Sequence, residues 1–174
     1  MINVPPLGCL PGTKTLRNYS QIKEDCVDEV NQAASGFNTG LNAIIDELKS
    51  GVPEIKIVSL DYYGLLLDLI ENPGKWGTPC PITSHIDFLC LDMMCVSTIT
   101  SNSLMLLFMA GIEVTAEACC VTGDMELALL CNRLTPITCP DPDKYIFFDM
   151  AHLTQRVYDI ISHIFLSREI LQLL

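Results

Sequence analysis

Tyr145-Ile146-Phe147-Phe148-Asp149-Met150-Ala151-His152, with a helical run from Thr154 to Leu173 behind it, is the stretch on which the fold of this chain turns. Its first four residues read as a short apolar strand, and the strand gives way to a helix within a few residues. Working back toward the N-terminus, Asp61 to Ile70 reads as a second helix, closed by the breakers Asn72-Pro73-Gly74. Ahead of it, Ile55-Lys56-Ile57-Val58-Ser59-Leu60 reads as another short buried strand. From about Tyr19 to Leu48 the period is helical. Val27, Val30, Ala34, Phe37, Leu41, Ile44, Ile45 and Leu48 recur at three- and four-residue steps and predict one buried stripe. Gly36 and Gly40 weaken its middle, and Gly51-Val52-Pro53 stops it. Residues 2–13 read as a strand end entering a loop, with Pro5-Pro6, Gly8 and Pro11-Gly12 as breakers. Helices alternating with short apolar strands predict an α/β layered fold.

The 174 residues are enough for one domain, and 49% hydrophobic content rules out a disordered chain. A net charge of −11 repels phosphate, and no Lys/Arg cluster offsets it, so nucleic acid is excluded as a partner. Nine cysteines fit an oxidising compartment. Yet Met1-Ile2-Asn3-Val4-Pro5-Pro6 lacks the basic and apolar regions of a secretion signal, so the expectation is that the true N-terminus lies further upstream.

Residues 78–110 stand apart. Only Asp87 and Asp92 are charged there, no glycine occurs, and three of the nine cysteines and four of the seven methionines crowd into the segment. Its apolar runs, 86–91 and 104–110, are too short to span a bilayer, so no stable membrane span is expected. The composition predicts an insertion foreign to the surrounding domain.

Val4-Pro5-Pro6-Leu7-Gly8-Cys9-Leu10-Pro11 resembles the "PPxGCxP" segment of the plant GDSL esterase/lipase family, a branch of the SGNH hydrolases. Phe37-Asn38 with Leu41 resembles its "FNxxL" helix, and Ile57 to Tyr63 its "DxY" strand end. Asn72-Pro73, Ala118-Cys119-Cys120, Leu130-Cys131-Asn132 and Lys144 to Asp149 follow in the family's order. Each motif alone is weak; the order is specific. The resemblance covers residues 1–77 and 111–165. It implies an α/β fold, namely a partial three-layer α/β/α SGNH-hydrolase (flavodoxin-like) fold lacking its N-terminal half. Residues 1–174 would be the C-terminal part of one such domain, interrupted at 78–110 by translated intron or another non-family insertion. Joining Gly77 to Ile112 restores the family pattern. The six cysteines outside the insertion, Cys9, Cys26, Cys119, Cys120, Cys131 and Cys139, then become disulfide candidates, their connectivity open.

The resemblance also implies a chemistry. Asp149-Met150-Ala151-His152 matches the family's DxxH block, in which the carboxylate orients one imidazole nitrogen while the other takes a serine proton. On spacing alone a bland alternative fits as well: a loop Asp capping the next helix beside a satisfied His. Three departures stand out. Cys120-Val121-Thr122-Gly123 replaces "CCGTG", Leu153 replaces a proline, and the family's GDS serine and oxyanion-hole residues belong upstream of Met1.

Ser20, Ser35, Ser50 and Ser59 lie in or beside predicted helices and strands, none in a Gly-x-Ser-x-Gly elbow, and read as solvated or capping hydroxyls. His85 falls in the odd segment and His163 on the polar side of the last helix. No C-x-x-C pair marks a zinc site and no glycine-rich loop a nucleotide, so neither metal nor cofactor is implied. The expected function is carboxylic-ester hydrolysis in a typically secreted family, on a small-molecule or lipid ester. The fragment itself is expected to be inactive without its serine. A catalytically dead remnant or interaction protein is the alternative, with a membrane-associated protein well behind; nothing in the sequence fixes the oligomeric state.

Overall fold

The structure is a computed structural model, and it describes residues 1–17, 26–76, 111–120, 131 and 138–173. The segment 78–110, with His85, lies outside the described residues, as do Ser20 and Val121-Thr122-Gly123. In chain order the elements are α1 (Pro11–Arg17), α2 (Asp28–Gly51), α3 (Tyr62–Glu71), β1 (Val114–Ala118), β2 (Tyr145–Phe147) and α4 (Gln155–Arg168). Short 3-10 turns occupy Leu7–Cys9, Pro73–Trp76, Pro142–Lys144 and Ile170–Leu173.

Two helices start where side-chain caps dictate, and a third has acidic residues in its first turn. Asp61 accepts the Gly64 N–H at 3.0 Å and opens α3. Thr154 accepts the Val157 N–H at 3.5 Å and opens α4. Asp28 and Glu29 place negative charge in the first turn of α2, where the helix dipole favours it. α1 corrects the expectation of a loop through Pro11-Gly12. Proline at a first helical position gives up an N–H that the helix would leave unpaired anyway. Gly36 and Gly40 pass through α2 without ending it.

The sheet is a parallel pair, β1 beside β2, with Val114 opposite Tyr145 and Ala118 opposite Phe147 across a bulge. Residues 55–60 do not join it. Lys56 is exposed and the other five are half-buried, and among the described residues their one bridge is Leu60 to Ile2, in parallel. The core gathers Leu66 and Leu69 of α3, Ile112 and Ala118, Ile146 and Phe147 of β2, Leu153, and Val157, Ile160, Ile161, Ile164 and Phe165 of α4. The α4 residues repeat at the spacing of one helix face.

α2 departs from the predicted stripe. Val27, Ala34 and Ile45 are buried, but Phe37 is 59% exposed and Ile44 56%. The helix is held from one side only. Asn38 grips both backbone groups of Val4 at 2.8 Å, Gly8 N–H donates to Asn31 Oδ1 at 2.8 Å, and Cys9 is bridged to Cys26 just ahead of the helix. Gly8 is required there, because a Cβ would strike the Val27 carbonyl oxygen.

Candidate active site

β2 ends at Phe147, and the chain reverses over the next five residues to bring Leu153 back beside Phe147 as an antiparallel bridge. Two hydrogen bonds close the reversal: Phe148 N–H to the His152 carbonyl at 2.8 Å, and Thr154 N–H to the Ile146 carbonyl at 2.9 Å. The Thr154 hydroxyl donates to the Tyr145 carbonyl at 2.9 Å. Residues 149–152 therefore sit in a tight loop with both ends fastened.

Inside that loop the Asp149 side chain is 2% exposed, and a buried carboxylate needs partners. It has three. Oδ1 accepts the N–H groups of Ala151 at 2.9 Å and His152 at 2.7 Å. The His152 ring supplies the third, with Nδ1 2.9 Å from Oδ1 and 2.8 Å from Oδ2. Because the carboxylate can only accept, it holds the ring proton on Nδ1. Nε2 is left with its lone pair, on a side chain 57% exposed. Such a ring can take a proton from a group placed against it, with a fixed buried charge behind it to stabilise the cation.

The helix-capping alternative fails on geometry, since Thr154 fills the cap of α4 while Asp149 binds within its own loop. Leu153, standing where a proline was expected, is buried in the core. In this reversal the bridging bonds use residues 148, 152, 154 and 146, so the Leu153 N–H has no ladder role and a proline would be accommodated there.

Two supports escaped the sequence reading. Gly12 N–H donates to the Met150 carbonyl at 3.0 Å, and the Met150 side chain packs where a Gly12 side chain would be. The N–H groups of Cys119 and Cys120 donate to the Phe147 and Phe148 carbonyls at 3.0 and 2.9 Å. Each cysteine is in turn bridged to a separate partner, Cys119 to Cys139 and Cys120 to Cys131. With Cys9–Cys26, all six candidate cysteines are paired.

The other singled-out residues lie elsewhere. Ser50 donates to the Asp46 carbonyl and Ser59 to Asn42 Oδ1. Ser35 and Ser59 line an open polar cavity of about 420 Å³ with Asn3, Asn38 and Asp61. Among the described residues no serine is hydrogen-bonded to His152. His163 is exposed on α4. Burial, and then the neighbouring Tyr158, push the Tyr62 phenol up to about 12, which keeps it out of acid–base chemistry near neutrality. Among the described residues no three His, Cys, Asp or Glu side chains cluster as a metal site, and no helix is long and apolar enough to cross a membrane.

No protein-family model matches the chain. Curated proteins of Arabidopsis thaliana do. GDSL esterase/lipase EXL3 is 29% identical over 168 residues, which are 97% of this chain and 36% of that protein. GDSL esterase/lipase At3g14820 is 31% identical over 163 residues, 94% of this chain and 36% of its own length. GDSL esterase/lipase At1g06990 is 31% identical over 162 residues, 93% and 35% respectively. The chain thus spans about a third of the length of the curated relatives it matches.

Proposed function

Because the chain belongs to the plant GDSL esterase/lipase family, we propose that it supplies the orienting acid and the general base of a carboxylic-ester hydrolase. The observation that carries this reading is the buried Asp149 carboxylate holding the Nδ1 face of an exposed His152 ring. In the reaction, His152 Nε2 takes the proton of a serine hydroxyl as its oxygen attacks the ester carbonyl. The resulting imidazolium, steadied by Asp149, returns the proton to the departing alkoxide. A water, activated in the same way, then releases the acid. The serine and its oxyanion-hole donors would come from a part of the family domain other than the third matched here. Residues 1–174 alone would hold a base without a nucleophile. Three disulfides fit an oxidising, secreted setting for the whole.

Two measurements test the proposal. The purified 174-residue chain is expected to hydrolyse short p-nitrophenyl esters no faster than its His152→Ala variant. A chimera in which residues 1–174 replace the matched region of EXL3 is expected to hydrolyse them, losing on the order of 10³-fold or more when His152 becomes Ala. Turnover by the chain alone that disappears in His152→Ala would mean a nucleophile within these residues. A folded chimera indifferent to His152 would remove the esterase reading.

A further inference from the structure

Two backbone N–H groups grip the Asp149 carboxylate, and one of them is itself held from outside the loop. The Ala151 N–H donates to Asp149 Oδ1 at 2.9 Å, and the Met150 carbonyl accepts the Gly12 N–H at 3.0 Å. That carbonyl and that Ala151 N–H belong to one peptide group. A trans peptide is planar, with its C=O and N–H on opposite edges. Gly12 therefore fixes one edge of the plane whose other edge carries the carboxylate. Each hydrogen bond in such a run also polarises the next.

The donor is firmly anchored. Pro11 has no N–H, so the Gly12 N–H is the first that α1 offers, and no carbonyl within the helix can take it. Just ahead, the Leu7–Cys9 turn is fastened to the start of α2 by the Cys9–Cys26 bridge. The Val27 N–H also donates to the Gly8 carbonyl at 2.8 Å, and the Gly8 N–H to Asn31 Oδ1 at 2.8 Å. Pro11, Gly12 and Lys14 are buried.

The approach leaves no room for a side chain. A Cβ on Gly12 would lie 2.7 Å from the Met150 Cε, 3.2 Å from its Cβ and 3.3 Å from its carbonyl oxygen. Carbon–carbon contacts ordinarily sit at about 3.5–4.0 Å. The Cε, at the end of a flexible side chain, can swing aside. The Cβ and the carbonyl oxygen cannot yield without carrying the 150–151 peptide with them.

We propose that Gly12 is a positioning residue for the Asp149–His152 pair. Its N–H, acting through the Met150–Ala151 peptide, sets the orientation of the Asp149 carboxylate and so of the His152 ring. The absence of a side chain at residue 12 is what permits the approach. This role presumes the esterase reading above, in which the pair supplies the orienting acid and the base.

The test uses the EXL3 chimera carrying residues 1–174. Its readouts are kcat and KM on a p-nitrophenyl ester, the low-field proton signal of the His152 Nδ1–H, and hydrogen exchange at the Ala151 amide. Gly12→Ala should lower kcat about tenfold with KM unchanged, because a remote displacement of about 1 Å can cost about a hundredfold. It should also weaken the Nδ1–H signal and speed exchange at Ala151. Met150→Gly removes both side-chain contacts and keeps the carbonyl. Added to Gly12→Ala, it should restore the signal and bring kcat to within about threefold of the Met150→Gly chimera. In an active chimera, an unchanged kcat, a kcat loss with an unaltered signal, or a loss of kcat or of folding that Met150→Gly does not reverse would each overturn the positioning role. Should Gly12→Ala alone not fold, the double variant decides: a restored signal supports the role, and a folded double variant without the signal overturns it. A chimera that hydrolyses no ester, yet loses the Nδ1–H signal on Gly12→Ala, keeps the Gly12 linkage and removes the esterase reading. Hydrolysis that needs His152 but is indifferent to Gly12→Ala does the reverse.

Discussion

Asp149 and His152 are three residues apart and yet carry opposite stability roles. The carboxylate satisfies two backbone N–H groups inside a closed loop, whereas the imidazole stands in solvent. Asp149→Ala strands those two donors, and unsatisfied buried donors cost about 1–3 kcal/mol each. His152→Ala strands nothing of that kind and should cost less than about 1 kcal/mol. Urea unfolding of the EXL3 chimera should therefore show a clear drop in midpoint for Asp149→Ala and almost none for His152→Ala, although on the proposed function both are expected to remove ester turnover. Equal destabilisation would mean that the ring, not the backbone, is the main partner of the carboxylate. Leu153 offers a second check at this scale. Its N–H has no ladder role, so Leu153→Pro should lose only part of one buried side chain, about 1–2 kcal/mol, against the roughly 3 kcal/mol or more of a proline inside a helix. A Leu153→Pro chimera that fails to fold would show that the loop depends on the leucine backbone. The contact between Asp149 and His152 was expected only through the resemblance, because D-x-x-H spacing alone fits a helix-capping Asp as well. That between Gly12 and Met150 was not expected, because a contact between residues 138 positions apart leaves no trace in spacing.

Among the elements, those with a strong period or a cap could be read from the sequence. The helix expected from Asp61 to Ile70 is α3 at Tyr62–Glu71, and the strand expected at 145–148 is β2 at Tyr145–Phe147. β1 was missed, because Val114-Thr115-Ala116-Glu117-Ala118 has two alanines and a glutamate, and it is a strand by virtue of pairing with β2. The pairing of the vicinal cysteines was equally illegible, since adjacent positions give both the same reach. In the structure they tie the end of β1 to Cys139 and Cys131 and present their N–H groups to the carbonyls of Phe147 and Phe148, next to Asp149. The Cys120–Cys131 bridge spans 11 residues, and closing a loop of that size is worth about 3 kcal/mol. Replacing both by Ser in the chimera should lower its stability by about that amount and broaden the low-field proton signal of the His152 Nδ1–H. An unchanged signal with lowered stability would confine the bridge to a stabilising role.

At the scale of the whole molecule, the main buried cluster among the described residues draws on α3, α4, β1 and β2, while α2 buries Ala34, Asn38 and Ile45 outside it. α2 rests instead on Val4, the Leu7–Cys9 turn and one disulfide, while Phe37, Ile44 and Leu48 are exposed and the apolar residues Ile55, Ile57, Val58 and Leu60 stay half-buried. The sequence showed α2 to be amphipathic. It could not show that Phe37, Ile44 and Leu48 stay exposed among the described residues, because a stripe records what a helix can bury and not what covers it. At about 25 cal/mol per Å², a few hundred Å² of uncovered apolar surface costs several kcal/mol. Ordinary domains hold only roughly 5–15 kcal/mol in total. Residues 78–110, which we take to be foreign to the domain, add an apolar run at Leu104–Ala110 with no charge to keep it soluble. The isolated 174-residue chain is therefore expected to aggregate or to remain partly molten, binding a hydrophobic dye and showing no sharp calorimetric transition. Fusing the part of EXL3 that precedes its matched region ahead of Met1 and excising residues 78–110 is expected to give cooperative unfolding, with excision alone giving at most a more soluble but still non-cooperative chain. A reversible, sharp transition from a soluble monomer of the 174 residues would show that these elements close a core by themselves, and that α2 tolerates its bare flank.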